Sequence, residues 1–138
     1  MKNALKGIMS IMILIPMFFG CDTTSEEPVE VNERIQGTWT ISSMNMFGVD
    51  IPGDGSTLTF NGCDATCTGQ DYEATGETTG TFTYEFIENN TQLKITDNDP
   101  DNGGSYNGTW DILDFTSSKL RLTIDTGLLG NIQMEMNK

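Results

Sequence analysis

Apolar and polar residues alternate with a period of two from Gly37 to the end of the chain, and Gly, Asn, Asp and Pro interrupt the alternation at short intervals. A period of two sends successive side chains to opposite faces of a strand, so the pattern predicts β-strands with one buried face. The spacing favours antiparallel hairpins between consecutive strands. The predicted strands are residues 38–44, 57–60, 71–75, 80–87, 92–97, 106–113, 119–125 and 130–137.

The alternation also predicts which side chains face inward. Burial of each such side chain contributes about 2 kcal/mol, and seventeen of them are enough for the domain to fold alone. We therefore predict an all-β fold, an eight-stranded antiparallel up-and-down barrel, with a flattened β-sandwich as the alternative. The predicted inward residues are Trp39, Ile41, Leu58, Phe60, Phe82, Tyr84, Phe86, Leu93, Ile95, Trp110, Ile112, Leu120, Leu122, Ile124, Ile132, Met134 and Met136.

The first twenty residues follow a different pattern. Two lysines precede an apolar run of twelve residues at 8–19, and Gly20 separates this run from Cys21. As a helix the run would be about 18 Å long, whereas a helix that spans a membrane needs about 20 residues. The pattern is typical of a secretory signal peptide, so we expect residues 1–20 to be removed.

The end of this segment resembles a known processing signal. Phe18-Phe19-Gly20-Cys21 resembles the lipobox of bacterial lipoproteins, in which a cysteine after a small residue is acylated, for example with palmitate, and becomes the new N-terminus. The resemblance implies that lipid on Cys21 anchors the protein in the cell envelope. We expect the outer membrane, at its periplasmic face or at the cell surface, although Asp22 also fits inner-membrane retention. An ordinary cleaved signal with an unmodified cysteine is the alternative.

The chain beyond the signal is strongly acidic. Residues 21–138 carry 20 acidic and 5 basic residues, a net charge of −15. Such a field repels nucleic acid, and we expect no nucleic-acid partner. Residues 21–33 are too polar to bury a core, so we predict a lipidated cysteine followed by a flexible acidic tether. Residues 34–138 then form the single β domain that this length allows, and we expect a monomer.

Two cysteines remain if Cys21 carries lipid. Cys63 and Cys67 form an even pair in an oxidising compartment, which predicts a disulfide. Four residues of extended strand span about 13 Å, whereas the Cα atoms of a disulfide lie within about 7 Å, so residues 63–67 must turn. Zinc is a weak alternative because the chain lacks histidine, and a redox pair is weak because the spacing is not Cys-x-x-Cys.

The start of the first predicted strand resembles the opening of a known family. Residues 35–41 carry the Gly-x-Trp pattern of the lipocalins, in which a short helical turn precedes the first strand. Four later segments resemble small lipocalin-like lipoproteins of Gram-negative bacteria, and the resemblance implies a lipocalin-like barrel over residues 34–138. These segments are residues 80–84, 90–95, 108–110 and 119–122.

The resemblance also implies how one barrel end is closed. In lipocalins an arginine from a late strand lies across the tryptophan of the first strand. Gly37, Trp39 and Arg121 would have this closing role here, with Arg121 stacked on Trp39 through a cation–π contact. One helical turn over residues 32–36, capped by Asn32, is expected just before the strand.

An acidic segment suggests a metal site. Asp97, Asp99 and Asp101 place carboxylates at alternate positions, as in the first half of a calcium-binding loop. Glycine, however, stands at the seventh position rather than the sixth, and Gly108 occupies the twelfth, where a glutamate is needed. An acidic hairpin turn is the favoured interpretation, calcium the alternative. We expect no other cofactor than the covalent lipid on Cys21.

Five of the predicted inward residues are either core or the lining of a pocket, because an eight-stranded barrel is filled by side chains or holds one small ligand. The leading hypothesis is a membrane-anchored, non-catalytic lipoprotein that binds a small apolar ligand at the barrel mouth. The alternative is a filled barrel that binds a protein or a glycan through its outer surface, as an inhibitor or a surface-assembly component. The sequence has no histidine and no Gly-x-Ser-x-Gly motif, which argues against an enzyme. The five residues are Tyr84, Phe86, Trp110, Met134 and Met136.

Replacement of Cys21 by serine tests the anchor. Cys21→Ser removes the thiol that would carry the acyl chains, and each buried methylene of such chains contributes about 0.8 kcal/mol to membrane binding. We expect the variant to leave the membrane fraction and to lose labelling by a fatty-acid analogue, while Thr23→Ala keeps both. Unchanged membrane retention and labelling of Cys21→Ser would contradict lipidation.

Overall fold

The described chain is almost entirely antiparallel β-sheet. The computed structural model describes residues 30–98 and 106–138, and within them a short helix, α1, precedes nine strands. The bounds are α1 Val31–Ile35, β1 Gly37–Met46, β2 Val49–Pro52, β3 Thr57–Cys63, β4 Cys67–Tyr72, β5 Thr78–Ile87, β6 Gln92–Asp97, β7 Gly108–Phe115, β8 Lys119–Asp125 and β9 Asn131–Asn137.

The sheet closes on itself, which confirms the predicted barrel over the sandwich. Strands that follow each other from β3 to β9 are paired, and β1 pairs with β9 from Thr40↔Asn137 to Met46↔Ile132. β1 divides its other edge between two partners. Its first four residues pair with β3, and Ser43 to Met46 pair with β2. Eight strands therefore form the closed barrel, and β2 is an additional strand beside it.

Two strands differ from the prediction. The third predicted strand, residues 71–75, lies earlier in the structure, as β4 at Cys67–Tyr72. Gly69 occupies a buried position of β4, so the strand carries little apolar signal. A Cβ atom on Gly69 would lie 2.2 Å from Cζ of Phe82, so the glycine makes room for that ring. β2 was not predicted, because all four of its residues are exposed and its pattern lacks a buried face.

The predicted inward face is the core of the barrel. Thirteen of the seventeen predicted residues are buried, and Phe86, Ile112, Ile124 and Ile132 are partly buried against them. Ile35 from α1 is a further buried residue that the strand pattern did not predict. The buried predicted residues are Trp39, Ile41, Leu58, Phe60, Phe82, Tyr84, Leu93, Ile95, Trp110, Leu120, Leu122, Met134 and Met136.

The helical turn before β1 forms, but Asn32 does not cap it. The helix begins at Val31, so Asn32 lies inside it, and Glu30 occupies the cap position without a side-chain hydrogen bond. The turn is instead held by packing, because Ile35 is fully buried and its carbonyl accepts a 2.6 Å hydrogen bond from Nε1 of Trp39.

We call the end of the barrel that carries α1 the helix end. The opposite end, with the β1–β2, β4–β5 and β8–β9 turns, is the distal end.

The disulfide prediction is confirmed. Cys63 and Cys67 are bonded, with Cα atoms 4.2 Å apart, and they face each other across the β3–β4 hairpin. The bond pins the turn between these strands at the helix end. In residues 30–98 and 106–138 no helix is long and apolar enough to cross a membrane.

Gly69→Ala should destabilise the barrel. The new Cβ would clash with the Phe82 ring at 2.2 Å and with the backbone oxygen of Thr59 at 2.7 Å. Overpacking of this kind costs about 1–3 kcal/mol, measurable by chemical denaturation. Gly62→Ala is the control, because its Cβ would meet only Gln36, at 3.7 Å or more. Equal unfolding free energies of the two variants would contradict the described packing.

Candidate functional site

The barrel interior is the first candidate site, and its predicted lining is packed. Tyr84, Trp110, Met134 and Met136 are between 0% and 3% exposed, and Phe86 is partly buried against them. A cavity that admits even one water molecule would expose the side chains of its wall. These residues therefore serve as core in this structure rather than as the wall of an open pocket.

Aromatic rings fill much of this interior. Six rings form a continuous chain whose neighbouring centroids lie 5.1–6.4 Å apart. These separations lie within the range of favourable aromatic pairs. Two indole nitrogens are also satisfied inside, because Nε1 of Trp110 donates to the Tyr106 carbonyl at 2.8 Å, as Trp39 does to Ile35. In order along the chain, the six rings belong to Phe82, Phe60, Tyr84, Phe86, Phe115 and Trp39.

The helix end is closed by cations other than the predicted one. Nζ of Lys138 lies 5.2 Å from the centroid of the Trp39 ring, and the Arg34 guanidinium lies 5.4 Å from that of Phe115. The predicted Arg121 stacking on Trp39 is wrong. Leu120 and Leu122 point inward and are fully buried, so the pleat places Arg121 on the outer face.

Gly37 and Arg121, the other two residues predicted to close the barrel, lie beside Lys138 and Glu135, respectively. Gly37 begins β1 with φ of 110°, and a Cβ atom there would lie 2.9 Å from Cε of Lys138, so the glycine lets that side chain cross the end of the barrel. Arg121 faces Glu135 across β8 and β9, with Nε 3.5 Å from a carboxylate oxygen. Lys119 contacts the same oxygen at 3.1 Å.

Two pockets open on the outer face of the barrel. One has a volume of about 220 Å³ and crosses β7, β8, β9, β1 and β2. The other has a volume of about 360 Å³ and lies beside the disulfide turn, near the Lys94–Glu85 ion pair. Both offer hydrogen-bonding groups to a partner. The first is lined by Ser43, Asn45, Asp50, Leu113, Arg121, Leu122, Gln133, Met134 and Glu135.

The distal end carries an exposed apolar surface, which we call the apolar rim and define as Phe47, Val49, Leu128 and Leu129. These side chains are 48%, 63%, 106% and 69% exposed. The two turns that carry them are neighbours, because the Phe47 amide donates to the Asn131 carbonyl at 3.3 Å. The alternation of apolar and polar residues does not predict this surface; the available signal was apolar residues between predicted strands.

Charge is distributed unevenly between the two ends. Arg34, Lys119 and Lys138 lie at the helix end, and the sequence places no lysine or arginine in the β1–β2, β4–β5 or β8–β9 turns. Carboxylates stand in or beside those turns instead, among them Asp50 and Asp125. The apolar rim is therefore bordered by negative charge.

The predicted calcium site falls largely outside the described residues. Asp97 ends β6, and its amide donates to Oδ1 of Asn107 at 3.4 Å, whereas Asp99 and Asp101 lie beyond residue 98 in the part left undescribed. Among the residues that are described, no group of three acidic, cysteine or histidine side chains is arranged to hold a metal ion. Calcium binding stays a prediction.

Tyr106 should ionise only in strong alkali. Its burial, and then the negative charges of Asp54 and Asp71, raise its pKa from 10.0 to about 12. Because the unfolded chain loses this proton at a lower pH than the folded protein, we expect the unfolding free energy to fall between pH 10 and 12. Tyr106→Phe should remove part of this fall. An unchanged pH profile of Tyr106→Phe would contradict the shift.

The chain was also compared with known proteins. No family model, no curated protein and no solved structure matches it. The likeness to lipocalin-like lipoproteins therefore rests on the sequence segments quoted above.

Proposed function

We propose that this protein is a lipid-anchored, non-catalytic lipoprotein of the cell envelope whose filled barrel binds a protein or a glycan through its outer surface. The observation that carries the proposal is the packing of the interior, where fourteen apolar side chains are between 0% and 4% exposed. A barrel filled in this way presents its binding groups on the outside.

The packing gives less support to a small apolar ligand at the barrel mouth. Pockets for small molecules have volumes of about 300–1,000 Å³ and bury most of the ligand. An internal pocket of that size would require several rings of the aromatic chain to move. At the helix end, the fully buried Ile35 and Trp39 also stand in the way of a ligand.

The outer face offers the chemistry that such a module needs. The pocket that crosses β7 to β2 combines the exposed Leu113 with amide and charged groups from four strands, β1, β2, β8 and β9. Glu135 holds Arg121 and Lys119 in place, so these cations are positioned before a partner arrives. Amides, carboxylates and a guanidinium around one apolar side chain suit the hydroxyl groups of a glycan or the polar rim of a protein interface.

Two features support the proposed cellular location. The Cys63–Cys67 disulfide is typical of proteins that fold in an oxidising compartment. The lipobox-like sequence before Cys21 provides the anchor. Together they support a place in the envelope, with the outer membrane as the proposed site.

An apolar probe separates the filled barrel from a ligand-binding one. We expect purified Cys21→Ser protein, which lacks the acyl chains, to carry no bound lipid, as measured by native mass spectrometry, and to show no saturable uptake of a hydrophobic dye. Met134→Ala is the positive control, because removal of a buried side chain leaves a cavity that can admit an apolar molecule. Stoichiometric lipid or saturable dye uptake in the Cys21→Ser protein with Met134 intact would overturn the filled-barrel proposal.

A second measurement addresses the outer face. A photo-crosslinking residue at Gln133, within the pocket, should give an adduct of defined mass on intact cells, and the same residue at the exposed Thr38 should not. Arg121→Ala should reduce that adduct severalfold without lowering stability by more than about 1 kcal/mol, since its ion pair is partly exposed. Equal crosslinking at the two positions would count against this surface.

A further inference from the structure

We infer that the apolar rim inserts into the surface of a zwitterionic lipid bilayer, so that the barrel contacts the membrane at a second point besides its anchor. The inference rests on the proposed function for the presence of a membrane nearby. Three further observations support it: the shape of the rim, the charges around the rim, and the length of the tether.

The shape of the rim suits a fluid partner. Leu128 and Leu129 project from a 3₁₀ turn at Gly127–Leu129, and Phe47 and Val49 project from the adjacent β1–β2 hairpin. The side chains protrude and line neither of the two outer pockets. A stable protein interface uses about 20–30 residues on each side, many more than the four of the rim. A bilayer needs no complementary pocket, and protruding apolar tips can enter it.

The charges around the rim favour a bilayer with neutral headgroups over one with anionic headgroups. Asp50 Oδ1 accepts a 2.6 Å hydrogen bond from Asn45, and Asp125 Oδ1 accepts one of 2.7 Å from the Gly127 amide, so both carboxylates are held back within the turns. No lysine or arginine is present there to bind an anionic headgroup. An acidic surface of this kind is repelled by anionic lipids but tolerated by neutral phosphatidylcholine or phosphatidylethanolamine.

The tether is long enough for this contact. The described chain begins at Glu30, at the helix end, nine residues after Cys21. Nine residues can span at most about 30 Å. The ten residues of β1 rise about 33 Å along the strand, and a strand tilt of about 40° shortens this to roughly 25 Å along the barrel axis. The anchor and the distal end can therefore reach the same membrane.

Phe47 shows that folding alone does not explain the rim. Phe47 and Gly48 form a two-residue hairpin turn with φ of 56° and 86°, a geometry for which Asn-Gly is the preferred pair. A bulky side chain is strained at positive φ. In this conformation about half of the Phe47 side chain stays exposed, at 48%. Phe47→Asn should therefore preserve or raise thermal stability while it removes an apolar contact.

Fluorescence quenching by brominated lipid tests the insertion directly. Leu128→Trp places an indole on the rim, and Leu113→Trp places one on the outer face of β7, where the native leucine is 48% exposed. The acylated proteins are reconstituted in phosphatidylcholine vesicles, with and without brominated acyl chains. We expect at least twofold stronger quenching for Leu128→Trp than for Leu113→Trp, and less quenching when phosphatidylglycerol is added.

A second variant separates membrane contact from folding. Phe47→Asn in the Leu128→Trp background should reduce the quenching by about half while the melting temperature does not fall. Equal quenching at positions 128 and 113 would overturn the inference. So would a blue-shifted emission of Leu128→Trp without vesicles, because the rim would then be covered by a second copy or by the N-terminal segment.

The same samples distinguish failure of the anchor from failure of the rim. Absence of acyl chains in the mass spectrum, with no co-flotation of the wild-type protein, would refute the proposed anchor. Brominated vesicles added from outside would still quench Leu128→Trp if the rim binds lipid. An acylated, vesicle-bound protein whose position 128 is not quenched would refute the rim and leave the anchor intact.

Discussion

The filling of the barrel by aromatic rings is the constraint on which the rest of the structure depends. Eight strands enclose a space just wide enough for side chains, and here the ring chain from Phe82 to Trp39 occupies much of it. Close packing also dictates where side chains are absent. Gly69 lacks a Cβ because the Phe82 ring lies where that atom would be. Because the interior is used for stability, binding has to be sought on the outside.

The helix end shows how the packed interior is closed off from solvent. Trp39 is fully buried, yet its indole nitrogen is satisfied by the Ile35 carbonyl, so burial of the ring leaves no unpaired donor. Lys138 then covers the Trp39 ring at the helix end, and its Nζ donates to the Arg34 carbonyl at 3.2 Å. A cation does cover the first-strand tryptophan, as the family resemblance implied, but it comes from the C-terminus. The pleat of β8 makes that position inaccessible to Arg121.

Much of the fold could be predicted from the sequence, because one buried face imposes a period of two on the strands. The prediction failed for elements that do not have a buried face of alternating apolar side chains. β2 buries no residue, β4 has a glycine at a buried position, and Ile35 belongs to a helical turn too short to show a period. The Cys63–Cys67 bond was predictable because the two cysteines left over beside Cys21 form an even pair, and the short reach between them then requires a turn. The outer pocket was not, because its lining comes from five strands that only the closed barrel brings together.

The two ends of the barrel differ in what folding requires of them. At the helix end, Ile35 and Trp39 are apolar and buried, so stability accounts for them. At the distal end, Leu128 and Leu129 are apolar and exposed, and polar residues at those turn positions would fold as well or better. Phe47 is also strained, because its positive φ is unfavourable for a bulky side chain. The fold does not need these apolar residues, and the β1–β2, β4–β5 and β8–β9 turns around them carry no lysine or arginine. Contact with a neutral, apolar environment outside the protein explains them best.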